Sequence, residues 1–430
     1  MLTTLLAAAL FSSPLPLPAG DGLPSIAPGE VGMSARRLES IDRVIRQGIA
    51  AGGFPGAAVV VGRKGNAVWE KGFGRLDWSA RSAAVDPERS IYDLASLTKV
   101  VGLTTAVMIL YDEGRLRLDA PVSTYLPEFS GGDKDAVTIR HLLTHRSGLP
   151  AGRAIWSVAD SPDEARRMVL RTTLINRPGE RYVYSDLGPD VLAMVVEAIT
   201  GRPMDVFLAE RVFDRLGMTD TGFLPDDSLA YRIAPTEVDS PRGYALRGEV
   251  HDENAHALGG IAGHAGLFST AADLSVFAQM LLNGGELNGV RIVADSTVTI
   301  FTTRTAGTRA LGWDTANGDG SSGDYLGPRA FGHTGYTGTS LWIDPDREMF
   351  IILLTNRVHE PRASRPATII ADVRADVSDA AALAVIDYPE GEVLEMPNAF
   401  RADLAAGWDR TRPGPRRSRH ARHRRARPGN

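Results

Sequence analysis

Strand-like patterns sit near both ends of this 430-residue chain, and the long stretch between them is helical. Near the start, Ala57–Gly62 and Ala67–Gly72 are short apolar runs separated by Arg63-Lys64-Gly65-Asn66, which marks an antiparallel hairpin. Near the end, Thr339–Ile343 and Met349–Thr355 flank the turn Asp344-Pro345-Asp346-Arg347. Apolar residues recur at helical spacing over Thr98–Glu113, Thr138–Leu143, Pro162–Leu170, Pro189–Thr200, Met204–Arg215 and Ala271–Leu282. Ser34 to Gly52 is an amphipathic helix capped by Ser34, and a last helix runs from about Arg365 to Ile386. The pattern predicts an α/β (α+β) fold over about 28–390. Its antiparallel sheet comes from 34–95 and 290–390 and is flanked by helices, with a helical subdomain inserted over 97–287.

The chain contains no cysteine, so thiol chemistry, disulfides and cysteine metal sites are excluded. Its formal charge is −5; nine arginines and no acid lie from Arg410 onward, and setting them aside leaves −14 for the rest. Such an acidic body argues against a nucleic-acid partner. Met1 to Gly20 has an apolar core and a Ser/Pro-rich end, as an export signal has, although no basic residue precedes the core. The expected location is periplasmic or extracellular. No later segment reads as long and apolar enough to span a bilayer. The stretch 399–430 is expected to be a disordered, solvated arginine-rich tail.

Three segments carry candidate chemistry. The first is Ser96-Leu97-Thr98-Lys99 at a helix start, where Ser96 and Lys99 share a face one turn apart. The second is Tyr184-Ser185-Asp186, and the third is His333-Thr334-Gly335 followed by Tyr336. A serine is a weak nucleophile and needs an adjacent base. Lys99 can serve only if neutral, which requires its pKa to fall by about 3 units. Alternatively Tyr184 is the base, held as phenolate by Lys99. The Ser96 amide, at a helix N-terminus, suits one donor of an oxyanion hole.

The order and content of these segments resemble the serine β-lactamase and penicillin-binding-protein superfamily. Within it they resemble the class C β-lactamase and D-alanyl-D-alanine carboxypeptidase branch, which carries Ser-x-x-Lys, Tyr-x-Asn and Lys-Thr-Gly or His-Thr-Gly. The stretches His141–Leu149 and Gly263–Leu274 match as well. The resemblance implies catalytic Ser96, Lys99 and Tyr184, with Asp186, His333, Thr334, Gly335 and Tyr336 binding substrate or oxyanion. The Tyr336 amide would be the second oxyanion donor. It also implies an acyl-enzyme on Ser96 and a peptide-stem, β-lactam, D-amino-acid amide or ester substrate, with no cofactor. A non-catalytic penicillin-recognising module is the alternative; intact Ser96, Lys99 and Tyr184 speak against it.

Two positions depart from the family. Asp186 stands where asparagine is usual; a carboxylate accepts from Lys99 and keeps it charged but cannot donate to a substrate carbonyl. His333 stands where lysine is common, which predicts substrate-carboxylate binding that weakens as pH rises. His141, His145 and His264 fall in family structural loops rather than in a metal-ligand pattern, and His251-Asp252-Glu253 reads as a polar loop.

Overall fold

The structure is a computed structural model. It describes residues 22–238, 240–316, 320–359, 367–387, 393–404 and 408. The expected export signal and the arginines from Arg410 onward lie outside these residues.

Six strands form one antiparallel sheet: β1 (Gly56–Arg63), β2 (Asn66–Gly74), β3 (Asp314–Thr315), β4 (Phe331–Thr334), β5 (Ser340–Asp344) and β6 (Met349–Thr355), in the order β2-β1-β6-β5-β4-β3. The two ends of the chain meet where β1 pairs β6, with Val59 opposite Leu353 and Val60 opposite Ile352. These strands are apolar on both faces because both are covered. Val59, Val61, Ile351 and Leu353 face helices α1 (Ala35–Ala50) and, later in the chain, the last long helix (Ala367–Leu383). Ala58, Val60, Ile352 and Leu354 face the helical region, which includes Thr105–Asp112, Leu187–Thr200 and Ala271–Leu282. The one-residue alternation of strand side chains thus divides two cores.

The Thr98–Glu113 helix departs from its expected form. It runs in wide turns over Lys99–Thr104 before becoming regular at Thr105. The Thr104 and Thr105 hydroxyls donate to the Lys99 and Val100 carbonyls at 2.7 and 3.1 Å. The run Ala95–Asp112 passes the length and composition test for a membrane-crossing helix, which the sequence reading does not single out. It is 83% buried inside the fold, as a core helix is.

The tail expected to be disordered from 399 does not start there. Phe400, Ala402 and Trp408 are buried against the last helix. Arg401 reaches Asp324, Asp376 and Asp379 at 2.7, 3.0 and 2.6 Å, and the Trp408 indole donates to Asp372 at 2.9 Å. Apolar anchors together with an arginine matched to three acids suffice to dock this segment.

Candidate active site

The site begins with a strained turn. Ala95 has φ 46°, a left-handed conformation that costs a residue with a Cβ, and the Asp93 carboxylate holds it by accepting the Ala95 N–H at 2.8 Å. The turn delivers Ser96 to the start of the core helix. The loop after β4 is fastened to the same turn: the Thr337 hydroxyl donates to the Asp93 carbonyl at 2.7 Å and that of Thr339 to the Leu94 carbonyl at 3.0 Å. A Cβ at Gly335 would overlap the Leu94 carbonyl oxygen, so only glycine permits this approach.

The structure brings Ser96, Lys99, Tyr184 and Asp186 together. Lys99 is 2% exposed, and its Nζ lies 2.7 Å from Ser96 Oγ, 2.8 Å from Asp186 Oδ1 and 3.1 Å from the His264 carbonyl oxygen. Tyr184 packs its ring 5.2 Å from that ammonium. Burial opposes the Lys99 charge, but Tyr184 and the Asp186 carboxylate outweigh it and hold the amine above the usual lysine range. Burial likewise opposes the Asp186 charge; Lys99 and His264 override it and hold the carboxyl below its usual range.

Ser96, Tyr184, His333, Thr334, Gly335 and Tyr336 line one cavity of about 320 Å³, together with three arginines, Arg309, Arg357 and Arg374. His333 is 4% exposed, and its Nδ1 is 2.9 Å from the Thr334 carbonyl oxygen. Burial, then Arg309 and Lys99, hold it well below the usual histidine value. The expectation of a partly charged His333 that grips a carboxylate is therefore corrected: burial first, and then the cations Arg309 and Lys99, favour the neutral ring.

Arg309 is that guanidinium, and nothing in its local sequence marks it. Its Nε donates to the Tyr182 hydroxyl at 3.1 Å and its guanidinium lies 5.4 Å from the Tyr184 ring. Its Nη1 is buried and has no partner among the described residues. Arg374, on the last helix, donates to the Gly335 and Thr339 carbonyls at 2.5 and 2.8 Å and so braces the β4–β5 loop. His145, expected only in a structural loop, packs 4.5 Å from the Tyr184 ring. Burial, Arg309 and Lys99 push it down to about 3.

Behind Lys99 lies a second cluster that the motifs did not reveal. The His264 ring is 2.7 Å from Asp190 Oδ1 through Nδ1 and 2.8 Å from Asp252 Oδ1 through Nε2. Burial disfavours its charge, yet the two carboxylates raise it well above the ordinary histidine value. The His251 ring lies 5.7 Å from that of Tyr336, and its amide donates to the Asp93 carboxylate at 2.7 Å. His141 instead serves its own helix start, accepting the Thr138 N–H at 3.2 Å.

Comparison with known proteins places this arrangement. The beta-lactamase family model matches residues 41–375. An Escherichia coli K12 protein named "Putative D-alanyl-D-alanine carboxypeptidase" is 33% identical over 375 residues, covering 78% of this chain and 86% of its own length. A Bacillus subtilis protein named N-acetylmuramyl-L-alanine amidase is 34% identical over 366 residues, covering 76% and 82%. Among solved structures, a penicillin-binding-protein homologue from Caulobacter crescentus superposes with a TM-score of 0.66 at 22% identity, covering 82% of this chain and 99% of that one. A match over most of the chain and relatives above 30% identity make this chain a member of the beta-lactamase family, a hydrolase of the serine β-lactamase and penicillin-binding-protein type.

Proposed function

We propose that the chain hydrolyses an amide or ester through an acyl-enzyme on Ser96, on a substrate that carries a carboxylate near the scissile bond. The observation that carries the reading is the Lys99 ammonium, 2.7 Å from Ser96 Oγ and 2.8 Å from Asp186. An amine held charged cannot act as the base, so its work is electrostatic. The Ser96 proton passes to the Tyr184 oxygen while Oγ bonds the carbonyl carbon. Tyr184 then hands the proton to the leaving nitrogen or oxygen as that bond breaks. Water repeats the sequence on the ester, and Ser96 regains its proton. The Ser96 amide and the Tyr336 amide, which no described backbone group accepts, are the oxyanion donors.

Arg309 lines the cavity beside Ser96 and Tyr184, and a guanidinium there fits the substrate carboxylate. The carboxypeptidase and amidase names of the relatives support D-alanyl or related peptide amides, with β-lactams and small esters within the same chemistry. Export, read from Met1–Gly20, belongs to the same reading.

Intact-mass spectrometry after incubation with benzylpenicillin and with a p-nitrophenyl ester tests it. An adduct or turnover that Ser96→Ala abolishes is the expected result. Neither adduct nor turnover with either compound would move the assignment to a non-catalytic penicillin-recognising module.

A further inference from the structure

Lys99 is oriented by an ion pair to Asp186 and by two hydrogen-bond acceptors, Ser96 Oγ and a main-chain oxygen. The His264 carbonyl accepts from Nζ at 3.1 Å, and it belongs to a loop residue between the short helix Glu253–Ala257 and the strand Leu267–Ser269. The side chain of that same residue is held at both ends. Asp190, on the helix Leu187–Thr200, takes one ring nitrogen and also accepts the neighbouring Gly263 amide at 3.1 Å. Asp252, which caps Glu253–Ala257 by accepting the Ala255 amide at 2.9 Å, takes the other. A ring with both nitrogens against carboxylates donates twice, which only the imidazolium does.

We propose that His264 is a positioning residue for Lys99: its ring, clamped between Asp190 and Asp252, fixes the carbonyl that orients the ammonium and supplies a second fixed positive charge behind the Lys99–Asp186 pair. The inference rests on the hydrolase reading above. The charge count gives the reason. Asp186, Asp190 and Asp252 are three carboxylates around the Lys99 and His264 side chains; the ammonium alone would leave two of them without a cation, and the imidazolium reduces that to one. With His264 charged, Asp186 stays ionised and its grip on Lys99 persists. The other groups that face this pair are Tyr184, His145, His333 and Arg309; Arg309 adds positive charge from the opposite side, while both histidines are held neutral.

The test is the pH profile of kcat/KM for p-nitrophenyl ester hydrolysis by the full chain, its His264→Gln variant and its Asp252→Asn variant. His264→Gln lowers kcat about 100-fold with KM changed less than about threefold, because a displaced Lys99 affects the reacting atoms more than substrate binding. Removing a cation also raises the pKa of each acidic group at the site, so the acid limb moves up by about one unit. Asp252→Asn keeps the acceptor for the Ala255 amide but removes an anion, so the acid limb moves down. Shifts of opposite sign are not produced by a merely structural role. If His264→Gln does not fold, Asp252→Asn decides alone: a downward shift supports the proposal, and an unchanged or upward limb overturns it. Unshifted limbs in both variants, with Ser96-dependent turnover retained, overturn the positioning role alone. A native chain without Ser96-dependent adduct or turnover overturns the hydrolase reading, and this proposal with it.

Discussion

Three nearly inaccessible histidines surround Lys99 and end in opposite charge states. His145 and His333, each 4% exposed, pack against the Tyr184 ring near Arg309 and are neutral; His264, 2% exposed, sits behind Lys99 between two carboxylates and is charged. Burial disfavours the charged ring in all three. What differs is the neighbour: a guanidinium and an ammonium add to the desolvation penalty in front, and two acids outweigh it behind. Depth therefore sets the size of the penalty, and the nearest fixed charge sets its outcome. The division suits a hydrolase. Neutral rings in front flank Tyr184 without competing with Lys99 for Asp186, and a cation behind balances an acid where the family usually carries an amide.

The largest way to break this comparison is to remove the charge that both regions share. Lys99→Ala leaves Asp186 buried without its ammonium partner and takes one cation away from His145 and His333. Turnover of a p-nitrophenyl ester falls by about a thousandfold, within the range for loss of a group acting at the reacting atoms. The same variant raises the His145 and His333 values, which imidazole proton shifts measured against pH report directly. Turnover within tenfold of native would show that Lys99 is not what activates Ser96.

The rear cluster is broken by Asp190→Ala. Asp190 and the His264 ring are each 2% exposed, so removing Asp190 leaves the buried Nδ1 and the Gly263 amide without their acceptor, with Asp252 as the remaining carboxylate, and costs about 1–3 kcal/mol of unfolding free energy. The pH dependence of stability sharpens the contrast. His264 is raised in the fold, so its stabilising contribution is fully present below about 6.5, its unfolded value, and is lost as pH rises through the folded value. His145 is depressed, so its contribution is present above about 6.5 and declines as pH falls toward its folded value of about 3. Chemical denaturation from pH 5 to 9 should show the gap between native and Asp190→Ala narrowing as pH rises. A gap independent of pH would mean that His264 does not change charge between the folded and unfolded chains.

What could be read in advance divides along the same lines. The strands, most helices and the Ser96, Tyr184 and His333 segments were legible because each is a local pattern: an alternation, a 3.6-residue repeat, a serine and a lysine one turn apart. Their meeting at β1 and β6 followed from strands at both ends. The charge of His333 was not legible, because it depends on burial and then on Arg309, which reaches the cavity from a loop with no local signature. Nor was the triad. Asp190 and His264 are 74 residues apart, and each looks ordinary in its own helix or loop. Asp252 reads from the sequence only as part of a polar loop, with nothing to show that its carboxylate serves a distant ring. The docking of Phe400 and Trp408 was hidden by the arginines that follow them, which dominate the composition of the whole tail.

The smallest expected effect discriminates most finely, because it leaves Lys99 and the rear cluster untouched. Arg309→Ala removes the guanidinium beside Tyr184, His145 and His333. Both histidines should then rise by about one unit, and both should stay below 6.5 because burial is the larger cause. His264 should not move, since its charge is set by Asp190 and Asp252. For an ester that carries a carboxylate, KM should rise about tenfold, the worth of one charge-assisted hydrogen bond, while an uncharged ester keeps its KM and both keep their kcat. Equal losses for the two esters would mean that Arg309 acts through Tyr184 rather than on the substrate. In that case the neutral front would belong to the proton-transfer machinery, and the carboxylate would have to be sought at Arg357 or Arg374, the remaining guanidinium groups of the cavity.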